Sequence, residues 1–259
     1  RTTWLSIFWL LPALALAQSD RLETLSIRDG LSQGFVSAHL QDREGFLWIG
    51  TKNGLNRYDG RQVRVFGADP SNPYALSNDY ILSLHEYGDF ILVGTNGGGL
   101  NIFHKKTQRF FRLPEQLPGG GKLFSPLVFA AFVDQAGHIW LHLWKENTYL
   151  NGPLFRLQTP AGFWERLAEA NDPWAGVSIS GPSPRPWQMV YPAKARDVIW
   201  MSEGDALVRL ETASGRTDSF HLQTTVEKMV EDNSGNLWAF CNSQQRKRLL
   251  RFEGGAFRE

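Results

Sequence analysis

FVSAHLQDREGFLWIGTKNGLNRYDGRQVRVF, residues Phe35 to Phe66, is the stretch whose reading decides the fold. Phe35 to Gln41 reads as a strand closed by Asp42-Arg43-Glu44-Gly45, a tight turn in which Asp can bond nearby backbone and Gly can take positive φ. Phe46 to Thr51 follows as a second strand. Gly54 breaks the run before Leu55 to Tyr58, and Asp59-Gly60 is a hairpin signal leading into Val63 to Phe66. The spacing predicts a four-stranded antiparallel meander. A single meander has two apolar faces and two open edges, so it must stack on copies of itself.

The copies are present. Asp-x-x-Gly-x-x-Trp occurs at Asp42/Gly45/Trp48, at Asp134/Gly137/Trp140 and at Asp232/Gly235/Trp238. Two degenerate copies keep the turn length, at Glu86 to Asp89 before Leu92 and at Lys194 to Asp197 before Trp200. Successive anchors lie roughly 40–60 residues apart, around the period of propeller blades. The reading is therefore all-β, a partial β-propeller of about five four-stranded blades near 35–66, 80–113, 127–160, 187–222 and 226–259. Leu22 to Ile27 is expected to be an additional strand, of the kind that closes a ring, left without its natural partner in an incomplete ring.

The chain of 259 residues is 42% hydrophobic and 13% aromatic, enough to bury a sizeable core. Net charge is +1 and no basic stripe runs through the repeats, which argues against nucleic acid as a partner. Cys241 is the single cysteine, so an internal disulfide and a cysteine-based metal cluster are excluded. Trp4 to Ala17 is apolar but short for a bilayer span, and ends in Ala15-Leu16-Ala17. Residues 1–17 thus read as a secretory signal peptide with the propeller segment at 18–259, placing the mature chain in the periplasm or outside the cell.

DGLSQGFVSAHLQDREGFLWIGTKNGLNRYDG, NPYALSNDYI and VGTNGGGLNIF closely resemble the opening blades of two-component regulator propellers, the periplasmic sensor regions of bacterial hybrid or one-piece histidine kinases. The resemblance covers Leu22 to Glu259 and is weakest in the fourth unit, which lacks the turn Asp and Gly. It implies an amino-terminal fragment of a membrane-anchored receptor, with more blades, a β-sandwich, a membrane helix and a kinase or other output domain downstream. It also implies a non-enzymatic sensor of a small-molecule, oligosaccharide-class ligand, and a possible homodimer.

His138 and His142 are four apart on a strand, about 13 Å along one face, too far to share a metal. Asp232 to Asn236 lacks the downstream bidentate Glu of a calcium loop. No Gly-x-Ser-x-Gly elbow exists. No metal, cofactor or catalytic set is expected.

In a meander the a–b and c–d turns leave one face, and the b–c loops and blade connections the other. Two enlarged segments, 144–152 and 161–186, are both expected on the second face, where exposed aromatics beside polar hooks suit sugar rings. The expected ligand site is Trp144, Lys145, Glu146, Asn147, Tyr149, Trp174 and Trp187, with Lys52, Asn53 and Asn96 from neighbouring b–c loops. A propeller polysaccharide lyase or hydrolase and a protein-interaction scaffold are the alternatives to a sensor.

Overall fold

The computed structural model describes residues 24–118, 125–144, 152–167, 169, 173–180, 186–243 and 246–259. The strands form five antiparallel four-stranded sheets, each in simple sequential order. The first blade is β1 (Val36–Gln41), β2 (Leu47–Thr51), β3 (Gly54–Tyr58) and β4 (Val63–Phe66). The second is β5 (Ile81–Tyr87), β6 (Phe90–Thr95), β7 (Leu100–His104) and β8 (Arg109–Arg112). The third is β9 (Val128–Val133), β10 (Ile139–Leu143), β11 (Leu154–Gln158) and β12 (Ser178–Ser180). β13 (Met189–Pro192), β14 (Val198–Glu203), β15 (Ala206–Glu211) and β16 (Thr217–His221) make the fourth. The fifth is β17 (Thr225–Glu231), β18 (Leu237–Ser243), β19 (Arg246–Glu253) and β20 (Ala256–Arg258). The first strands of blades one, two and three pack side by side, so the sheets fan out in an arc. The arc does not close into a ring.

The repeated turn has a specific mechanism. Gly45, Gly137 and Gly235 take φ of 90°, 85° and 82°, which a side-chain-bearing residue adopts only with strain. The turn carboxylate then does two jobs. Oδ1 of Asp42 accepts from the backbone N–H of Glu44 and Phe46, both at 3.0 Å, and Oδ2 accepts the Trp48 indole N–H at 2.8 Å. The same indole bond recurs from Trp140 to Asp134 and from Trp238 to Asp232, each at 2.9 Å. The Asp therefore closes the turn and also satisfies a Trp placed six residues later, whose ring is free to enter the apolar gap between blades.

Trp48 fills such a gap. Its ring lies 5.2 Å from Phe103 and 6.0 Å from Phe66, and Phe103 lies 4.7 Å from Phe110. Between blades four and five, Trp200 meets Phe252 at 4.8 Å and Phe220 at 6.0 Å, with Phe252 5.1 Å from Phe257. Close approach needs small residues behind the Trp. A Cβ built on Gly50 would sit 2.6 Å from Cγ2 and 2.8 Å from Cβ of Ile81 in the next blade. Gly50→Ala is accordingly expected to destabilise by about 1–3 kcal/mol through overpacking. Urea unfolding checks it, and an unchanged midpoint would show that the blades can part at no cost.

Two expectations need correction. Leu22 to Ile27 does not form a strand within the described residues, because Ser26 and Asp29 close a helical turn instead. Ile27–Asp29 is a 3-10 turn in which Asp29 accepts from the Ser26 N–H at 2.8 Å and from its hydroxyl at 2.7 Å. The third blade also does not end near residue 160: its fourth strand is Ser178–Ser180, paired with Arg156–Gln158. The segment after Gln158, including helix α1 (Phe163–Leu167), is thus a c–d connection, not a link between blades.

That placement moves the insert to the face of the Asp-x-x-Gly turns. Trp164 donates its indole N–H to the Gly137 carbonyl at 2.9 Å and lies 4.6 Å from the Tyr87 ring. Trp174 is 4% exposed and packs 5.8 Å from Phe163 in the core shared by blades two and three. It was expected on an exposed rim. The reason for its burial is that this junction offers Leu113, Leu157 and Ile179 where those between blades one and two and between four and five offer phenylalanines, and the insert supplies the missing aromatic volume.

Candidate functional site

The turn face is occupied by ties between neighbouring blades. Arg43 donates its backbone N–H to Glu86 at 3.2 Å, and Lys105 reaches Glu86 at 2.9 Å and Glu44 at 3.1 Å. Gln135 donates its side-chain amide to the Ala195 carbonyl at 2.9 Å, and Lys194 its ammonium to the Asp232 carbonyl at 2.8 Å. Burial alone would lower the Lys105 pKa, but the Glu86 and Glu44 bonds outweigh it and raise it. These polar groups are committed to holding blades in register.

The opposite face, with the b–c loops, carries part of the expected site. Lys52 is exposed, and its ammonium sits 4.6 Å from the Phe35 ring centre and 5.3 Å from that of Tyr80. Phe35 is 52% exposed, so the trio forms an aromatic surface patch with a cation between its rings. Asn53 is exposed but donates to the Ser32 carbonyl at 3.3 Å and, through its backbone N–H, to Thr51 at 3.0 Å. Asn96 donates its backbone N–H to Tyr80 O at 2.9 Å and bridges to Leu127.

Beneath them runs a repeated polar core that sequence reasoning missed. Asn56 accepts from the Ser32 N–H at 2.9 Å and donates to the Ser32 hydroxyl at 2.9 Å. Asn101 accepts from the Ser77 N–H at 3.0 Å and donates to the Ser77 hydroxyl at 2.7 Å. Leu-Ser ahead of each first strand and Asn in each third strand were legible as repeated letters. Their pairing across 24 residues was not.

Trp144 is half-buried and donates its backbone N–H to Leu127 O at 3.0 Å. Lys145, Glu146, Asn147 and Tyr149 lie outside the described residues. Trp187 is 4% exposed, held by backbone bonds to Gly152 in both directions, and sits in the core between blades three and four instead of on an exposed rim. It is buried because the entry to the fourth blade pairs with Gly152 and turns the ring inward. The structure thus brings Lys52, Phe35 and Tyr80 together on the loop face and sends Trp174 and Trp187 to two different interiors.

His142 is buried on β10, with Nε2 3.0 Å from the Trp187 carbonyl, and burial lowers its pKa. His138 bonds Thr159 instead. Burial, aided by Arg196, lowers His85 to about 4, and its Nε2 has no partner. The unfolded His85, near 6.5, binds a proton that the folded state refuses between pH 6.5 and 4. Stability is therefore expected to fall as pH drops through that window, by on the order of 1–3 kcal/mol from this group. His85→Phe should flatten the pH dependence of the urea midpoint, and an unaltered slope would count against it.

Residues 30–53 match the family model described as two component regulator propeller. The chain is 42% identical over 49 residues to histidine kinase P4 of Formosa agariphila, an alignment covering 19% of this chain and 4% of that protein. Two extracellular domains from B. thetaiotaomicron, described as parts of hybrid two component systems, superpose with TM-scores of 0.66 and 0.63 at 18% and 17% identity. They cover 91% and 90% of this chain, which spans 31% and 32% of theirs. The fold is that of a β-propeller arc, and its opening blade carries the two-component regulator repeat.

Proposed function

We propose that this chain is the extracytoplasmic sensor segment of a two-component receptor, without catalysis of its own, that binds an oligosaccharide-class ligand on the b–c loop face. The observation that carries the reading is the regulator repeat at 30–53 at the start of a blade arc shared with extracellular domains of hybrid systems. The loop face adds the Phe35, Lys52 and Tyr80 patch, an apolar platform with a polar hook suited to a sugar ring. In this reading residues 1–17 direct secretion, a β-sandwich, a membrane helix and an output domain follow in the same protein, and two copies act together. Ligand occupancy moves output only if the two arrangements of the receptor bind it with different affinity.

Calorimetry on the intact ectodomain that carries this chain, titrated with an oligosaccharide panel, tests the site. Lys52→Ala and Phe35→Ala are expected to weaken a binder about tenfold each. Binding unmoved by both variants and by Trp144→Ala would remove the loop face from the account.

A further inference from the structure

The junction between blades three and four is built differently from those between blades one and two and between blades four and five. Phe103 and Phe110 are cross-strand partners on the second blade, and Phe252 and Phe257 are partners on the fifth. The corresponding pair on the fourth blade is Leu210 and Thr217. On the opposing side of those junctions, Phe66 pairs with Leu55 and Phe220 with Leu207. Leu210 and Thr217 thus replace here two of the phenylalanines that fill the gaps between blades one and two and between blades four and five. A cleft of about 640 Å³ takes their place, walled by Trp140, Trp187 and Leu210 and opening past the exposed Thr217. The volume is in the range of small-molecule sites.

The polar groups in the cleft point to what it takes. Its charges are already neutralised: Arg156 lies 3.5 Å from Asp134, and Glu211 is bonded by Arg209 at 2.8 Å. Two buried donors, however, have no acceptor. They are the indole N–H of Trp187, a residue 4% exposed, and the Nε–H of Arg156, whose guanidinium covers the Trp140 ring at 5.5 Å. Buried donors without partners are rare because each costs a lost hydrogen bond. A cleft with aromatic walls, paired charges and unpaired donors complements an uncharged ring that has an apolar face and acceptor oxygens.

We propose that this interblade cleft is a binding site for a neutral mono- or disaccharide. The inference rests on the sensor reading for its ligand class and adds, beside the oligosaccharide site proposed on the loop face, a separate site for a smaller sugar between blades. A bound sugar would accept from the Trp187 indole N–H and from Arg156, with its apolar face toward Val208 and Leu210.

The intact ectodomain is titrated calorimetrically with glucose, galactose, xylose and cellobiose, with galacturonate as the charged arm. A neutral sugar is expected to bind. Thr217→Phe restores the aromatic that the other junctions carry, and should abolish binding while keeping or raising Tm. Trp187→Phe should weaken binding about five- to tenfold, the share of one neutral hydrogen bond. Absence of binding by every probe, preference for galacturonate, or undiminished affinity in a folded Thr217→Phe protein would each overturn the cleft site. Loss of binding in Lys52→Ala with none in Thr217→Phe would overturn the cleft while leaving the sensor reading standing.

Discussion

Asp134→Ala is expected to cost about 3–5 kcal/mol of folding stability, the cost of removing one partner from a buried charge pair. Asp134 is 1% exposed, and its carboxylate serves the His138 N–H and the Trp140 indole, both at 2.9 Å, and Arg156 at 3.5 Å. Without it, a buried indole N–H and a largely buried guanidinium lose their acceptor, and the turn loses the group that closes it. Asp232 makes the same indole bond at 2.9 Å but is half-exposed, so water can replace it and Asp232→Ala should cost less. The Trp238 and Asn236 bonds hold the Asp232 carboxyl well below the usual carboxylate range. Its contribution is accordingly present above the ordinary carboxylate pKa and lost in strong acid. Urea unfolding at neutral pH measures both variants, and equal losses would show that burial does not set the value of the tie.

Trp48→Ala and Trp174→Ala are each expected to cost about 3–5 kcal/mol, the range of large truncations in a packed core. Trp48 is 1% exposed among Phe66 and Phe103, and Trp174 is 4% exposed against Phe163. Trp238 occupies the same repeat position as Trp48 but is only half-buried. It points to the side of the fifth blade that bears Val230, 51% exposed and paired with it across the strands. Trp238→Ala should therefore cost clearly less than Trp48→Ala. A smaller loss at Trp174 than at Trp238 would mean that the insert is not part of the core.

These comparisons show which features could be read from the residues. Asp-x-x-Gly-x-x-Trp announced the blades, because a tight turn and a ring six residues later impose fixed spacing on neighbouring letters. The Asp-to-Trp bond itself was hidden, since the turn alone already accounts for the Asp. The inserted segment misled for a different reason. Residues 161–177 interrupt the third blade before its last strand, and Ser178–Ser180 is too short to register as a strand by alternation. Placing the insert after the blade instead of within it reversed the face on which it emerges. Trp174 and Trp187 looked like rim residues because they break the repeat, yet both fill gaps that only the spatial juxtaposition of two blades creates. The cleft at Leu210 and Thr217 is legible only once cross-strand register aligns them with paired phenylalanines.

Whether the proposed saccharide sensing drives a two-component output is read most directly from the output itself. Phosphorylation, or transcription from the receptor's own target, would be followed in the intact protein that carries this chain, with and without a neutral sugar that calorimetry has identified as a binder. The expected result is a sugar-dependent change that disappears with whichever of Thr217→Phe and Lys52→Ala abolishes binding of that sugar, while basal output persists. A sugar response that survives both substitutions together, or its absence in the unaltered receptor with the sugar bound, would contradict the account.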